Sequence, residues 1–299
     1  MSTTTTTRAA IGHNLSFGGE LRSEWIKLRT LRSTMWCYLI IFVLTIGLGL
    51  LIASALPVPA SGAPAATHDV QQSTWVTVST LGIGFAQLVS AVLGALVITG
   101  EYGTGMIRST FAAVPKRLPA IAAKALVFGV TTFVVELVGL VIAAVVTAPL
   151  LPAKGITADF GDGKVWLALV GGAGYVALIG LLAFGIGLII RSSAGGIASA
   201  LGLVLVVPTI LAVLAQVTRA DWPANIAAFL PASAGGKLYA YQGAAAESLA
   251  PSRPGGAASA AASASNVIVL DSWQGLLVIV GWVVVAFVVG AILVKRRDA

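Results

Sequence analysis

Six long apolar stretches, separated by short polar segments, decide what this chain can fold into. An uncharged run of about 18 to 20 residues spans the hydrocarbon core of a bilayer as a helix. Five runs meet that test: Trp36–Leu56, Val78–Thr99, Trp166–Ile190, Ile197–Val217 and Gln274–Val294. A sixth, Ile121–Pro149, carries Lys124 near its start and Glu136 in its middle. The runs are continuous rather than alternating, so helices and not barrel strands are expected. Composition agrees. Charged residues are 10% of the 299, against roughly 25% in soluble domains, and mean hydropathy is +0.97. The expected fold is an all-α polytopic membrane protein with six transmembrane helices.

Lys and Arg orient those helices, because cytoplasmic loops carry the excess of basic residues. With the N-terminus inside, 13 of the 18 basic residues fall on inside segments, among them Arg22, Lys27, Arg29, Arg32, Arg108, Lys124, Arg191 and Lys295 to Arg297. Both termini are therefore expected in the cytoplasm. The net charge of +7 is a topology signal, and nucleic acid is not an expected partner. Cys37 is the one cysteine, which excludes an intramolecular disulfide or a thiolate metal cluster. No metal site is expected.

The polar segments divide the chain further. Residues 1–15 are Thr-rich, without a signal-peptide pattern, and are expected to form a disordered cytoplasmic tail. In 16–35, Leu21, Trp25, Leu28, Leu31 and Met35 recur at helical spacing among Arg22, Glu24, Lys27, Arg29 and Arg32. That pattern predicts an amphipathic helix lying in the membrane interface. Residues 57–77, with three prolines and His68-Asp69, are expected to form an irregular connector. After the second span, Gly103 and Gly105 break the helix, and a short piece over 104–112 ends at Pro115. Acid and base flank it as Glu101 and Arg108. Glycines of the fourth span and the Ser193-Ala194-Gly195-Gly196 opening of the fifth predict a close pair at the centre of the bundle. Residues 218–273 make an extracytoplasmic loop, with short aromatic helices first and a flexible Ala/Ser/Gly stretch after. The chain closes with a cytoplasmic tail at 295–299.

Glu136 is the one carboxylate inside a span, a costly placement that points to function. Two roles stay open: a place on a substrate path, with Gln87 as a further lining residue, or a protonated or hydrogen-bonded carboxyl held by a neighbour such as Gln87 or Ser90. Catalytic signatures are missing. Ala234-Gly235-Gly236-Lys237-Leu238 lacks the spacing and the hydroxyl of a P-loop, and no H-E-x-x-H or G-x-S-x-G occurs. No catalytic residue and no bound cofactor are expected on this chain.

The order of parts resembles the permease subunit of type 2 ABC transporters, the exporter-type family common in bacteria. The matching stretches are Ser23-Glu24-Trp25-Ile26-Lys27-Leu28-Arg29-Thr30 with Arg32-Ser33-Thr34, then Gly100-Glu101-Tyr102 with Gly105-Met106-Ile107-Arg108-Ser109-Thr110. Pro115-Lys116-Arg117 and Ala123-Lys124 continue the pattern. The Ala/Gly/Val-rich composition is similar to that of high-GC actinobacteria. The resemblance implies a subunit of a bacterial plasma-membrane exporter that pairs with a second permease copy, identical or not. It also implies a separate ABC ATP-binding subunit that holds ATP and Mg, and a coupling helix between spans 2 and 3. Glu101 and Arg108, supported by Arg22, Lys27 and Arg29, would make the coupling contacts. Two other functions are expected alternatives: a regulatory or sensory membrane subunit, or a proton-coupled carrier working through Glu136.

Overall fold

A computed structural model describes residues 17–58, 66–106, 117–242 and 267–296. The expected tail at 1–15, Arg108, most of the short piece over 104–112, and the stretch at 243–265 lie outside the described residues. Among the described residues the chain is all-α, with no strand. Six helical units are long and apolar enough to cross a membrane: Arg32–Ala55, His68–Gly103, Leu118–Leu150, Gly163–Ile190, Ser193–Thr218 and Ser272–Arg296. They are called spans 1 to 6 below. The protein is a multi-pass, all-α membrane protein.

The N-terminal helix, Phe17–Thr30, is separate from span 1. Leu31 between them is extended, at φ −74° and ψ 115°. Just before the break, the Thr30 hydroxyl donates to the carbonyls of Ile26 and Lys27, a local bond that competes with helix continuation. The break changes the phase of the helical face. Trp25 and Ile26 are exposed, whereas Glu24 and Leu28 are buried, and the helix packs on the start of span 3.

Span 2 begins earlier than hydropathy suggested. The connector expected over 57–77 is helical from His68, and His68–Thr80 runs through a turn at Leu81-Gly82 into Ile83–Gly103. Its buried face, which includes Gln72, Ser73, Ser79 and Thr80 beside Trp75 and Val76, is too polar to register as a span. Tertiary bonds satisfy it instead. The Gln72 amide donates to Thr157 O at 2.8 Å and accepts from Asp159 N at 3.1 Å, and Trp75 donates to Ala144 O at 3.3 Å. The unit of 36 residues is about 54 Å long at 1.5 Å per residue, so it projects beyond a core of about 30 Å.

Span 4 is the centre of the bundle, and span 5 is not its main partner. In the most apolar window of span 4, 67% of residues are buried, against 11% in span 5. Span 4 packs most extensively on span 2, then on spans 3 and 6. Spans 2 and 4 approach closely at Gly94 and Gly180, where a Cβ on Gly94 would stand 2.1 Å from Gly180 O. Small residues therefore do bring helices together: Gly172, Gly180 and Gly187 of span 4 meet span 2, whereas Gly185 meets Ala286 of span 6. The first half of span 5 packs on spans 2 and 4. A π-helical turn at Gly202–Val206 then interrupts it, one residue before Val207-Pro208, where proline cannot donate to the helical ladder.

At the end of the bundle remote from the N-terminal helix, short helices Trp222–Ala228 and Pro231–Gly236 lie against spans 5 and 6. Trp282 donates to Phe229 O at 2.9 Å. Tyr241 reaches Asp162 at 2.6 Å and Asp69 at 3.2 Å, which ties this segment to the ends of spans 4 and 2. Lys164 lies over the Tyr241 ring at 5.6 Å.

Candidate functional site

A buried cluster of four charges joins the N-terminal helix to spans 2 and 3. Lys124, in the third turn of the helix that forms span 3, sends its ammonium to Glu24 Oε2 at 2.5 Å and Glu101 Oε1 at 2.7 Å. Lys27 reaches Glu24 Oε1 at 2.7 Å and Glu101 Oε1 at 3.4 Å. Glu24, Glu101 and Lys124 are each less than a tenth exposed. Two lysines balance two glutamates, so the cluster is neutral as a unit. Buried charges survive only when paired in this way. Burial acts against the charge of Lys27. The hydrogen bond to Glu24 and the charges of Glu101 and Glu24 outweigh it and raise the ammonium pKa above its usual 10.5.

One atom of the cluster is left over: among the described residues, buried Glu101 Oε2 has no hydrogen-bond partner. The cluster residues also line a cavity of about 990 Å³, together with other parts of the N-terminal helix and of spans 1 and 2, and with Val127 of span 3.

The residues singled out from the sequence are distributed unevenly around this cluster. Lys27 and Glu101 belong to it. Arg22 and Arg29 are exposed on the N-terminal helix, away from the buried Glu24–Leu28 side. Arg108 lies outside the described residues. Glu24 and Lys124 were not singled out as site residues, yet they complete the cluster. The available signal was Lys124 itself: an ammonium inside an apolar run requires a counter-charge. Glu24 and Glu101 are acids on segments expected on the same side.

Glu136 stands apart from the cluster. It is fully buried and both its oxygens lie 3.2 Å from the Thr45 hydroxyl of span 1. One turn earlier, Tyr38 of span 1 meets Thr132 at 3.1 Å. Gln87 is not its neighbour: its carbonyl oxygen accepts from the Tyr175 hydroxyl and its amide donates to Gly84 O. Ser90 bonds to Val176 O at 2.9 Å. The structure thus joins Glu136 to span 1 and Gln87 to span 4, and does not bring the two residues together.

Arg191 marks the same end of the bundle as the ion cluster. Its guanidinium lies over the Tyr102 ring at 5.1 Å and donates to Leu293 O at 3.4 Å. Among the described residues, no group of His, Cys, Asp and Glu could hold a metal ion. No protein-family model matches the chain, and no match to a curated protein was found. The fold and the cluster define a multi-pass membrane protein whose N-terminal amphipathic helix is locked by charge to two of its spans.

Proposed function

We propose that this chain is the membrane-spanning subunit of an ATP-driven exporter of the type 2 ABC class. It sits in a bacterial plasma membrane with both termini in the cytoplasm. It pairs with a second permease copy and is driven by ATP-binding subunits on separate chains, which hold the ATP and Mg. One observation carries this proposal: the Glu24–Lys124–Glu101 cluster makes the N-terminal helix, the end of span 2 and the start of span 3 one mechanical body.

A push on the exposed side of the N-terminal helix, or on the segment that follows Gly105, is then passed to spans 2 and 3 instead of being absorbed by a loose loop. Rigid-body tilting of this kind is a standard way to move packed elements. In this scheme exposed Arg22 and Arg29 meet the ATP-binding subunit, and Arg108 does so from the segment after span 2. Lys27 and Glu101 transmit the force inside the chain.

The test is ATP hydrolysis by the purified complex in nanodiscs. Reversing the charge of both Arg22 and Arg29, or neutralising Arg108, should lower substrate-stimulated hydrolysis while the chain stays folded. Unchanged hydrolysis in both variants refutes the coupling scheme.

A further inference from the structure

Span 1 turns one apolar face outward, and a guanidinium heads it. Thr34, Tyr38, Ile41 and Thr45 are buried, which fixes the inward side of the helix. Arg32, Trp36, Leu39, Ile40 and Val43 are all exposed, at steps of three or four residues that keep them in one row on the opposite side. Trp36 is 64% exposed.

The row has the length and the order of polarity of one lipid leaflet. From Arg32 to Val43 it runs about 16 Å at 1.5 Å per residue, about half of a hydrocarbon core of about 30 Å. A charge comes first, then an indole, then aliphatic side chains. That is the order of headgroup, interface and acyl chain.

Charge decides which lipid suits the row. Glu24 and Glu101 are taken by Lys27 and Lys124, and among the described residues Arg32 makes no ion pair. Exposed Arg29, across the break at Leu31, adds to the positive surplus. A zwitterionic phospholipid brings its own ammonium to its phosphate, whereas an anionic one leaves a net negative charge for the surplus to attract.

We propose that the Arg32–Val43 face binds a phospholipid with a net negative headgroup, in the leaflet that borders the N-terminal helix. Its phosphate lies on Arg32 and one acyl chain follows Leu39, Ile40 and Val43. Held there, the lipid sets the depth of the elbow at Leu31, which is extended and exposed. The coupling scheme does not use these residues, so the site stands with or without an ATPase.

The test reads the headgroup of the lipid that touches the row. Ile40 is replaced by photoactivatable p-benzoylphenylalanine, and the full chain is placed in liposomes of equal parts phosphatidylglycerol and phosphatidylcholine. After irradiation, mass spectrometry counts the adducts of each lipid. One basic residue near an anionic surface shifts binding about fivefold, so phosphatidylglycerol adducts should outnumber phosphatidylcholine adducts by about that factor. Arg32→Gln should bring the two near parity, and Arg32→Lys should keep most of the excess. Added salt should reduce the excess, because Arg32 is exposed and its field is screened. The same probe at Val134, exposed in the middle of span 3, should find the two lipids near parity. The proposal is overturned if the parent shows parity at Ile40, if Arg32→Gln leaves the excess unchanged, if Val134 shows the same excess, or if the probe at Ile40 couples to protein instead of lipid.

Discussion

Replacing Lys124 by Met tests whether the buried cluster holds this end of the bundle together. The substitution keeps the length of the side chain and removes the ammonium that lies 2.5 Å from Glu24 and 2.7 Å from Glu101. Lys27 can still balance one carboxylate, so one is left buried without a counter-charge. Removing one partner of a buried pair costs about 3–5 kcal/mol. Protonating the stranded carboxyl sets a ceiling. A glutamate ordinarily titrates near 4.3, and each pH unit is worth about 1.36 kcal/mol, so taking up a proton at about pH 7 costs about 3.7 kcal/mol.

The expected loss is therefore about 3–4 kcal/mol near neutrality, and the ceiling falls to about 1 kcal/mol at about pH 5. The sign follows from the variant: its folded state gains a carboxyl that prefers the proton, so acid relieves the defect. Equilibrium unfolding of parent and variant, solubilised in mild detergent and titrated with SDS at the two pH values, measures both numbers. A variant within about 0.5 kcal/mol of the parent near neutrality, or a deficit independent of pH, would refute the structural role assigned to the cluster.

Gly94→Val should destabilise the chain by more than about 3 kcal/mol, because even a Cβ would stand 2.1 Å from a backbone carbonyl of span 4; fluorescence-detected thermal unfolding reads it. Glu136→Gln keeps an acceptor for the Thr45 hydroxyl and should stay within about 1 kcal/mol of the parent, whereas Glu136→Leu leaves that contact unmade and should cost more in the same assay. The hydrogen bond from Tyr241, opposed by burial and aided by the Lys164 backbone N–H, holds the Asp162 carboxyl below its usual 3.8. A lowered folded-state value stabilises above the usual one and is lost as pH falls through the folded one. Protease sensitivity of the 222–242 segment should therefore rise in acid below about pH 4, and Asp162→Asn should flatten that pH profile.

The sequence carried the spans because hydropathy needs no knowledge of neighbours. It carried the N-terminal helix as well, but not its orientation. A continuous stripe from Leu21 to Met35 assumes one helix, whereas the extended Leu31 separates two, and Glu24, at helical spacing from Leu21 and Leu28, turns inward to Lys124. The ion cluster was only half visible. Lys27 and Glu101 stood out locally, but their junction through Lys124 depends on contacts across 100 and 23 positions of the chain. Residues 68–77 were lost for a different reason: their helix buries glutamine and serine, whose cost is met by bonds to distant carbonyls that no periodicity displays. The glycines of span 4 announced close neighbours without naming them: Gly180 meets Gly94 of span 2, and Gly185 meets Ala286 of span 6.

On the proposed function, the chain is the membrane half of an ATP-driven machine. The most direct measurement is the composition and activity of the complex purified through a tag on this chain from its native membrane. An ABC ATP-binding subunit in fixed stoichiometry is expected, with vanadate-sensitive ATP hydrolysis that falls when Arg22 and Arg29 are reversed in charge. A chain that purifies without such a subunit, and without hydrolysis, would contradict it.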